Sequence, residues 1–86
     1  GDYYKEMCEA LMNQRNVLQK QTSFFHYIQE ANILKSLCGI SDRDHMTEEQ
    51  LTILNILQKA NIKMINLGES KEKRHNELSK IKILLS

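Results

Sequence analysis

The clearest pattern in the chain is an apolar seam over residues 50–85, where apolar side chains recur alternately three and four residues apart. A repeat that averages 3.5 residues keeps one stripe of an α-helix against a partner helix. Three polar residues, Gln50, Lys71 and Arg74, share the same phase. The pattern predicts a helix over about residues 47–85, whose apolar seam is formed by Ile53, Leu57, Ala60, Met64, Leu67, Leu78, Ile81 and Leu85.

A similar apolar stripe predicts another helix over about residues 3–38. Polar residues interrupt this stripe at Gln14 and Gln21, and Asn32 lies close to it. Buried polar residues at such positions can fix the register and the number of partner helices. The alternative is a loosely packed, solvated middle section. The apolar members of the stripe are Tyr4, Met7, Leu11, Leu18, Phe25 and Ile28.

Strong local signals mark the connection between these helices, which we predict as a turn over residues 39–46. Gly39 fits the left-handed position that closes a helix in a Schellman motif, with Ile40 folding back on the last helical turn. Residues 47–50 read Thr-Glu-Glu-Gln, which is the pattern of a capping box between Thr47 and Gln50. The second helix is therefore expected to begin at Thr47.

Gly68 is the one position where the second helix is open to two interpretations. The stretch over residues 66–70 can end one helix and begin another, which would give three helices in all. The 3.5-residue phase, however, continues across Gly68, and a solvent-facing glycine costs a helix only about 1 kcal/mol. We favour a continuous or kinked helix over a break at residues 66–70.

Together these elements predict an all-α fold, namely a coiled-coil-like antiparallel helical hairpin that forms a single domain over residues 1–86. Pairing around the turn brings together positions whose numbers sum to about 85, so that Ile28 faces Leu57 and Leu11 faces Arg74. Both helices become polar at the same height, which supports this register.

Two helices cannot bury every apolar side chain of this sequence, because both carry a second apolar row. Isolated apolar residues on a surface are common, which is one interpretation. We favour the other, in which a helix from a second copy or from another helical protein covers these rows in an oligomeric bundle. The predicted partner-binding residues are Phe24, Tyr27, Leu51, Leu54, Ile62 and Ile65.

Composition agrees with a helical domain that does not cross a membrane. The chain has 86 residues, no proline and three glycines, and its 41% hydrophobic content is too high for a disordered segment. No run of about 18 apolar residues is present. Since the first residue is Gly1 and not Met, we expect the chain to be a piece of a longer protein.

The two cysteines, Cys8 and Cys38, predict a reducing environment. On one straight helix they would lie roughly 45 Å apart, which is too far for a disulfide. Free thiols are typical of reducing compartments, so we expect an intracellular protein of the cytoplasm or nucleus.

The sequence shows no pattern typical of a metal centre or an active site. Cys38 and His45 lack the further ligands that zinc requires at recognisable spacing. Cys8 could meet His75 across the hairpin, but a nucleophile and its base need a cleft that a two-helix seam does not offer. We therefore expect no metal, no cofactor and no enzymatic activity.

One basic cluster gives an alternative function, a small helical nucleic-acid-binding domain. Phosphate binding needs unopposed positive charge on one face, whereas Glu69, Glu72 and Glu77 interleave with these cations. The net charge of +1 also argues against a dedicated nucleic-acid binder. The residues of this alternative are Lys71, Lys73, Arg74, Lys80 and Lys82.

The function that the sequence favours is therefore assembly. We expect a protein–protein interaction or oligomerisation module that acts as a scaffold, with either a second copy or another helical protein as its partner.

Overall fold

The protein was analysed as a computed structural model, which describes residues 3–17, 24–40 and 45–85, apart from the Phe24 side chain. These residues form an all-α structure, as the sequence predicts, with no strand among them. They contain four helices, however, instead of two or three: α1 (Tyr3–Val17), α2 (Phe24–Leu37), α3 (Glu48–Asn66) and α4 (Lys71–Leu85).

The predicted single helix over residues 3–38 is wrong, because α1 and α2 lie side by side. Met7 on α1 and Glu30 on α2 both contact the Asn61 side-chain amide, with its Nδ2 atom 3.5 Å from Met7 Sδ and 3.0 Å from Glu30 Oε1. On one straight helix these residues would be roughly 35 Å apart. The predicted seam residues Leu18 and Gln21 lie outside the described residues.

The end of α2 and the start of α3 form as their local sequences predict. Gly39 has a φ of 70° and donates to Ser36 O at 3.1 Å, while Ile40 N donates to Lys35 O at 2.9 Å. This pair of bonds defines a Schellman motif. At α3, Gln50 N donates to the Thr47 hydroxyl and Thr47 N donates to the Gln50 side chain, each at 3.0 Å, which completes the capping box.

The continuous helix through Gly68 is wrong, and the break at residues 66–70 is what the structure contains. Gly68 has a φ of 80° and donates to Ile65 O, and Glu69 N donates to Met64 O, both at 3.0 Å. This is the same Schellman motif that ends α2. Ser70 then caps α4 by accepting from Lys73 N at 3.2 Å.

Side-chain contacts fix the directions of the helices. Gln14 Nε2 donates to Ile65 O at 3.4 Å; together with the contact between Met7 and Asn61, this shows that α1 runs parallel to α3. The bond between Glu30 and Asn61 lies farther along α3 than the bond from Gln50 to Gly39 O, so α2 runs antiparallel to α3.

The turn at Gly68 makes α4 antiparallel to α3, with Arg74 beside Asn61. The helices therefore alternate in direction as an up-down-up-down bundle. Its longest dimension is 38 Å, whereas a two-helix hairpin of this length would extend over roughly 55–60 Å.

The core lies where all four helices meet, and it is built from both apolar rows of α3. Leu57 belongs to the seam predicted from the sequence, while Leu54 and Ile65 belong to the second row. Because α1 packs along α3, the chain covers these two members of the second row itself. The buried apolar residues are Met7, Ala10, Leu11, Leu34, Cys38, Ile40, Leu54, Leu57, Ile65 and Leu78.

We predict that Gly68→Ala destabilises the fold by about 1–2 kcal/mol, because a Cβ atom strains a backbone with positive φ. The added Cβ would meet no atom within 4 Å, so the cost comes from the backbone and not from a clash. Chemical denaturation measures the free energy of unfolding. Gly68→Asn is the matched control and should cost less, since asparagine adopts this conformation more readily. Stabilisation by alanine would show that Gly68 lies within a helix.

Candidate functional site

A cluster of buried polar side chains joins three of the four helices. Glu30 on α2, Asn61 on α3 and Arg74 on α4 are 3%, 0% and 2% exposed. Each of them lies four residues from a fully or almost fully buried leucine. Residues four apart share a helix face, so each polar side chain points toward the core. These leucines are Leu34, Leu57 and Leu78.

Asn61 lies at the centre of this cluster and uses both ends of its amide. Its Nδ2 atom donates to Glu30 Oε1 at 3.0 Å, and its Oδ1 atom accepts from Arg74 Nη1 at 2.8 Å. Arg74 Nη1 also forms an ion pair with Glu30 Oε1. Since Met7 Sδ contacts the same Nδ2 atom, one asparagine side chain touches residues from all three other helices.

The carboxyl group of Glu30 is held in its charged form. Burial by itself raises its pKa, but the hydrogen bond from Asn61 and the charge of Arg74 outweigh burial. The pKa of Glu30 is therefore lowered from its ordinary value of 4.5. The cluster at neutral pH is a buried ion pair bridged by an amide.

His75 lies beside this cluster as a neutral ring. Its Nε2 atom is 3.6 Å from Glu30 Oε1, which is too long for a hydrogen bond. Burial lowers the pKa of His75 below its ordinary value of 6.5, against the attraction of Glu30. The charge of Arg74 lowers it further.

We interpret the buried cluster as the feature that orients the helices. Apolar packing is non-directional, whereas these hydrogen bonds are satisfied in only one arrangement of α2, α3 and α4. Buried ion pairs seldom add net stability over a well-packed apolar core, but breaking one leaves an uncompensated buried charge. The cluster thus penalises alternative packings of the same helices.

The second feature is a groove beside α2, with a volume of about 230 Å³, which we call the α2 groove. Ile28 lines this groove and is 49% exposed, and Phe25, three residues earlier on the same helix face, is 62% exposed. Leu51 is also exposed and lies one turn before Leu54 on α3. The residues that line the α2 groove are Tyr4, Ile28, Ala31, Asn32, Lys35, Leu54 and Gln58.

The residues predicted to bind a partner are divided by the fold. Leu54 and Ile65 are 6% and 1% exposed within one chain, so they are core residues and not an interface between chains. Tyr27 and Ile62 are half-buried against the core. Leu51 is exposed near the α2 groove, and the Phe24 side chain lies outside the described part of the chain.

The basic residues predicted for the nucleic-acid alternative do not form one positive face. Arg74 is buried in the polar cluster. Lys73 pairs with Glu69 at 2.9 Å and Lys80 with Glu77 at 3.4 Å. The remaining two cations, Lys71 and Lys82, lie eleven residues apart on another side of α4, with Lys82 half-buried. Phosphate binding by this cluster is therefore opposed by neighbouring carboxylates.

Sequence reasoning identified none of the three cluster residues in its actual role. Arg74 was assigned to a basic surface, although its phase with Leu78 placed it on the apolar seam. No sequence pattern predicts that Glu30 and Asn61 are buried, since their burial depends on which helix packs against them. Of the polar seam residues that were identified, Gln14 donates to Glu69 O at 3.1 Å, Asn32 lines the α2 groove, and Gln21 lies outside the described residues.

The described cysteines are free thiols, and burial raises the pKa of both Cys8 and Cys38. Thiols with raised pKa are poor nucleophiles at neutral pH. Among the described residues, no group of three or more His, Cys, Asp or Glu side chains is arranged to hold a metal ion.

No protein-family model, curated protein or solved structure matches this chain. Within the described part of the chain, no helix combines the length and the apolar character that a membrane crossing needs. The function of this chain is therefore inferred from the geometry of the α2 groove and the buried cluster.

We predict that Arg74→Met destabilises the fold by about 3–5 kcal/mol, because it leaves the Glu30 carboxylate buried without its cation. Glu30→Gln in the same chain removes that unpaired charge, and the new amide can still bond to Asn61. The double variant should therefore be more stable than Arg74→Met alone. Urea unfolding of the wild type, the two single variants and the double variant measures the coupling free energy between Glu30 and Arg74. Strictly additive costs would mean that the two residues do not pair.

The lowered pKa values predict a fold that loses stability as the pH falls. A group with a depressed pKa binds protons more readily when unfolded, so protonation favours the unfolded state. Stability should decline first below about pH 6.5 through His75 and again below about pH 4.5 through Glu30. Denaturation at stepped pH measures both phases. His75→Gln should remove the first phase and keep the second, and an unchanged profile would contradict the burial of His75.

Proposed function

We propose that this chain is a helical protein–protein interaction module whose binding surface is the α2 groove. The observation that carries the proposal is the exposure of Ile28, which lines the groove, together with that of Phe25 on the same face of α2. Adjacent exposed apolar side chains rimmed by polar ones are typical of interaction surfaces. An aromatic residue within such a surface is typical of an interface centre.

The outer face of α2 is poor in charge, which supports the same proposal. The helix contains one acidic residue, Glu30, which points into the core, and one lysine, Lys35, which lines the α2 groove. Charged residues are depleted at interface centres because their desolvation is costly. A partner helix whose apolar side chains lie one turn apart on one face would fit a groove of this kind.

The occupant that we propose is an apolar helix face, either from a second copy or from another helical protein. The case for a second copy is weaker than the sequence alone indicates, because α1 already covers Leu54 and Ile65. The large apolar residues that remain exposed at or beside the α2 groove are Phe25, Ile28 and Leu51, a smaller surface than two uncovered rows. An interface centred on it would belong to the weaker, exchangeable class.

We predict that Phe25→Glu with Ile28→Glu abolishes association without unfolding the chain. Burying one large apolar side chain contributes about 1.5–3 kcal/mol, so the association constant should fall by at least tenfold for each change. Light scattering across a concentration series measures self-association, and titration with the purified helical partner measures heteromeric binding. Circular dichroism should be unchanged, since both side chains are exposed.

Ile56→Glu is the matched control for this experiment. Ile56 is an exposed residue on α3 that does not line the α2 groove, so its change should leave association intact. Equal weakening by Ile56→Glu would place the interface elsewhere. A wild-type chain that stays monomeric at millimolar concentration, and that binds no helical protein through Phe25, would overturn the proposal.

A further inference from the structure

The α2 groove presents a fixed order of apolar and polar side chains along its length. Its α2 wall is a single stripe, because its members follow the first at spacings of three, four and seven residues. These members are Ile28, Ala31, Asn32 and Lys35. The α3 wall contributes Leu54 and, one turn later, Gln58. The apolar end at Ile28 and the basic end at Lys35 are two turns of α2 apart, or roughly 10 Å.

Gln58 is a buried residue whose amide has no internal partner. Its side chain is 8% exposed and forms no hydrogen bond with any residue that the structure describes. Its amide atoms are not fully occluded, so they open into the groove that Gln58 lines. Since α2 is antiparallel to α3, with Glu30 beside Asn61, this amide lies between the two ends of the groove.

The amide of Gln58 selects against a wholly apolar occupant. Such an occupant would displace water from the amide and supply nothing in its place, and an unpaired buried amide carries a desolvation cost. An occupant that brings a polar group to this position avoids that cost. The exposed amide of Asn32 lies on the facing wall and favours the same kind of group.

Lys35 supplies the groove with a positive charge that no carboxylate of the described residues neutralises. The side chain is half-buried, and it forms no ion pair or hydrogen bond within the described part of the chain. It lies in the last turn of α2, where the helix dipole favours a cation. The dipole stabilises this charge without neutralising it, so an acidic group of an occupant can pair with Lys35.

The size of the α2 groove favours a side chain of a protein over a small organic ligand. Its volume of about 230 Å³ lies below the roughly 300–1,000 Å³ of small-molecule pockets. Its polar groups are also spread over two turns of α2, farther than one inserted side chain extends. A helix laid along α2 presents side chains at the spacing of the groove itself.

We propose that the occupant of the α2 groove is an acidic helix of another protein. On one face of that helix, an apolar residue packs beside Ile28, a polar residue one turn along pairs with Gln58, and a glutamate or aspartate two turns along pairs with Lys35. This inference rests on the proposed function, because it names the partner of the same groove. A second copy bound through α2 fits less well, since the one acidic residue of α2, Glu30, is buried in the polar cluster.

The test is a titration of the ¹⁵N-labelled chain with an alanine-rich helical peptide built around one leucine. Glutamines lie four residues, and glutamates seven residues, on both sides of this leucine, so that either direction along α2 is served. We expect saturable shifts of the Gln58 side-chain amide and of the Ile28 and Lys35 backbone amides. A peptide with glutamine in place of both glutamates should bind about fivefold more weakly, which is the effect of one partly exposed ion pair.

Variants of the chain separate a specific ion pair from general attraction between charges. Lys35→Glu should remove the preference for the acidic peptide and create a preference for a peptide with lysines at the same positions. Gln58→Met should weaken both original peptides about equally, by about fivefold, because each loses one hydrogen bond. Lys59→Glu is the matched control, since Lys59 is exposed on α3 and does not line the groove. Equal loss of the preference in Lys59→Glu would overturn the proposal.

The possible results distinguish this inference from the proposed function. Equal binding of the acidic and neutral peptides, lost in both cases with Phe25→Glu and Ile28→Glu, would overturn the acidic partner and retain the groove as an interaction surface. Self-association through the groove that Lys35→Glu leaves unchanged would do the same. Saturable binding of neither peptide, by a chain that also stays monomeric, would overturn both.

Discussion

The ion pair between Arg74 and Glu30, bridged by Asn61, is the constraint on which the arrangement of the helices depends. A buried guanidinium and a buried carboxylate tolerate few geometries, because every donor or acceptor left unpaired carries a desolvation cost. Here the amide of Asn61 has a suitable donor for one partner and an acceptor for the other. Burial of the apolar core drives folding, and the polar cluster determines which arrangement of the helices forms.

This constraint explains why the chain folds into four short helices instead of two long ones. The four contacts to Asn61 and Glu30 form only if the chain reverses between α1 and α2 and again at Gly68. Folding over in this way also buries Leu54 and Ile65, two members of the second apolar row of α3, inside the chain. Two of the residues that the sequence assigned to a partner, Leu54 and Ile65, are thus covered within the chain.

The parts of the fold that local chemistry determines could be predicted from the sequence. The cap at Thr47 and the reversal at Gly39 depend on residues within one turn of each other, and both form as predicted. Gly68 adopts the same Schellman motif as Gly39, although Glu69 lacks the apolar side chain that usually reinforces the motif, and the break there was the less favoured of the two alternatives. The unbroken 3.5-residue phase then favoured the wrong interpretation.

The candidate sites could not be predicted, since they depend on which helix faces which. The periodicity of apolar residues shows which side chains need burial, but it does not show which helix buries them. Leu54 was therefore predicted to lie between chains, although it is buried within one chain. For the same reason the seam position of Arg74 did not reveal its buried partners, and the nucleic-acid alternative counted it among the surface cations. The α2 groove is lined by residues of α1, α2 and α3, and the sequence analysis treated the first two of these helices as one.

The most direct test of this account is a nuclear Overhauser effect between the Met7 methyl group and the Asn61 side-chain amide. The Asn61 Nδ2 atom lies 3.5 Å from Met7 Sδ, so the account predicts a strong effect within one chain. Isotope-filtered spectra of mixed labelled and unlabelled protein would exclude transfer between chains. In a two-helix hairpin Met7 would face Leu78, roughly 25 Å along the bundle from Asn61. An absent effect, with Met7 instead close to Leu78 alone, would contradict the four-helix arrangement.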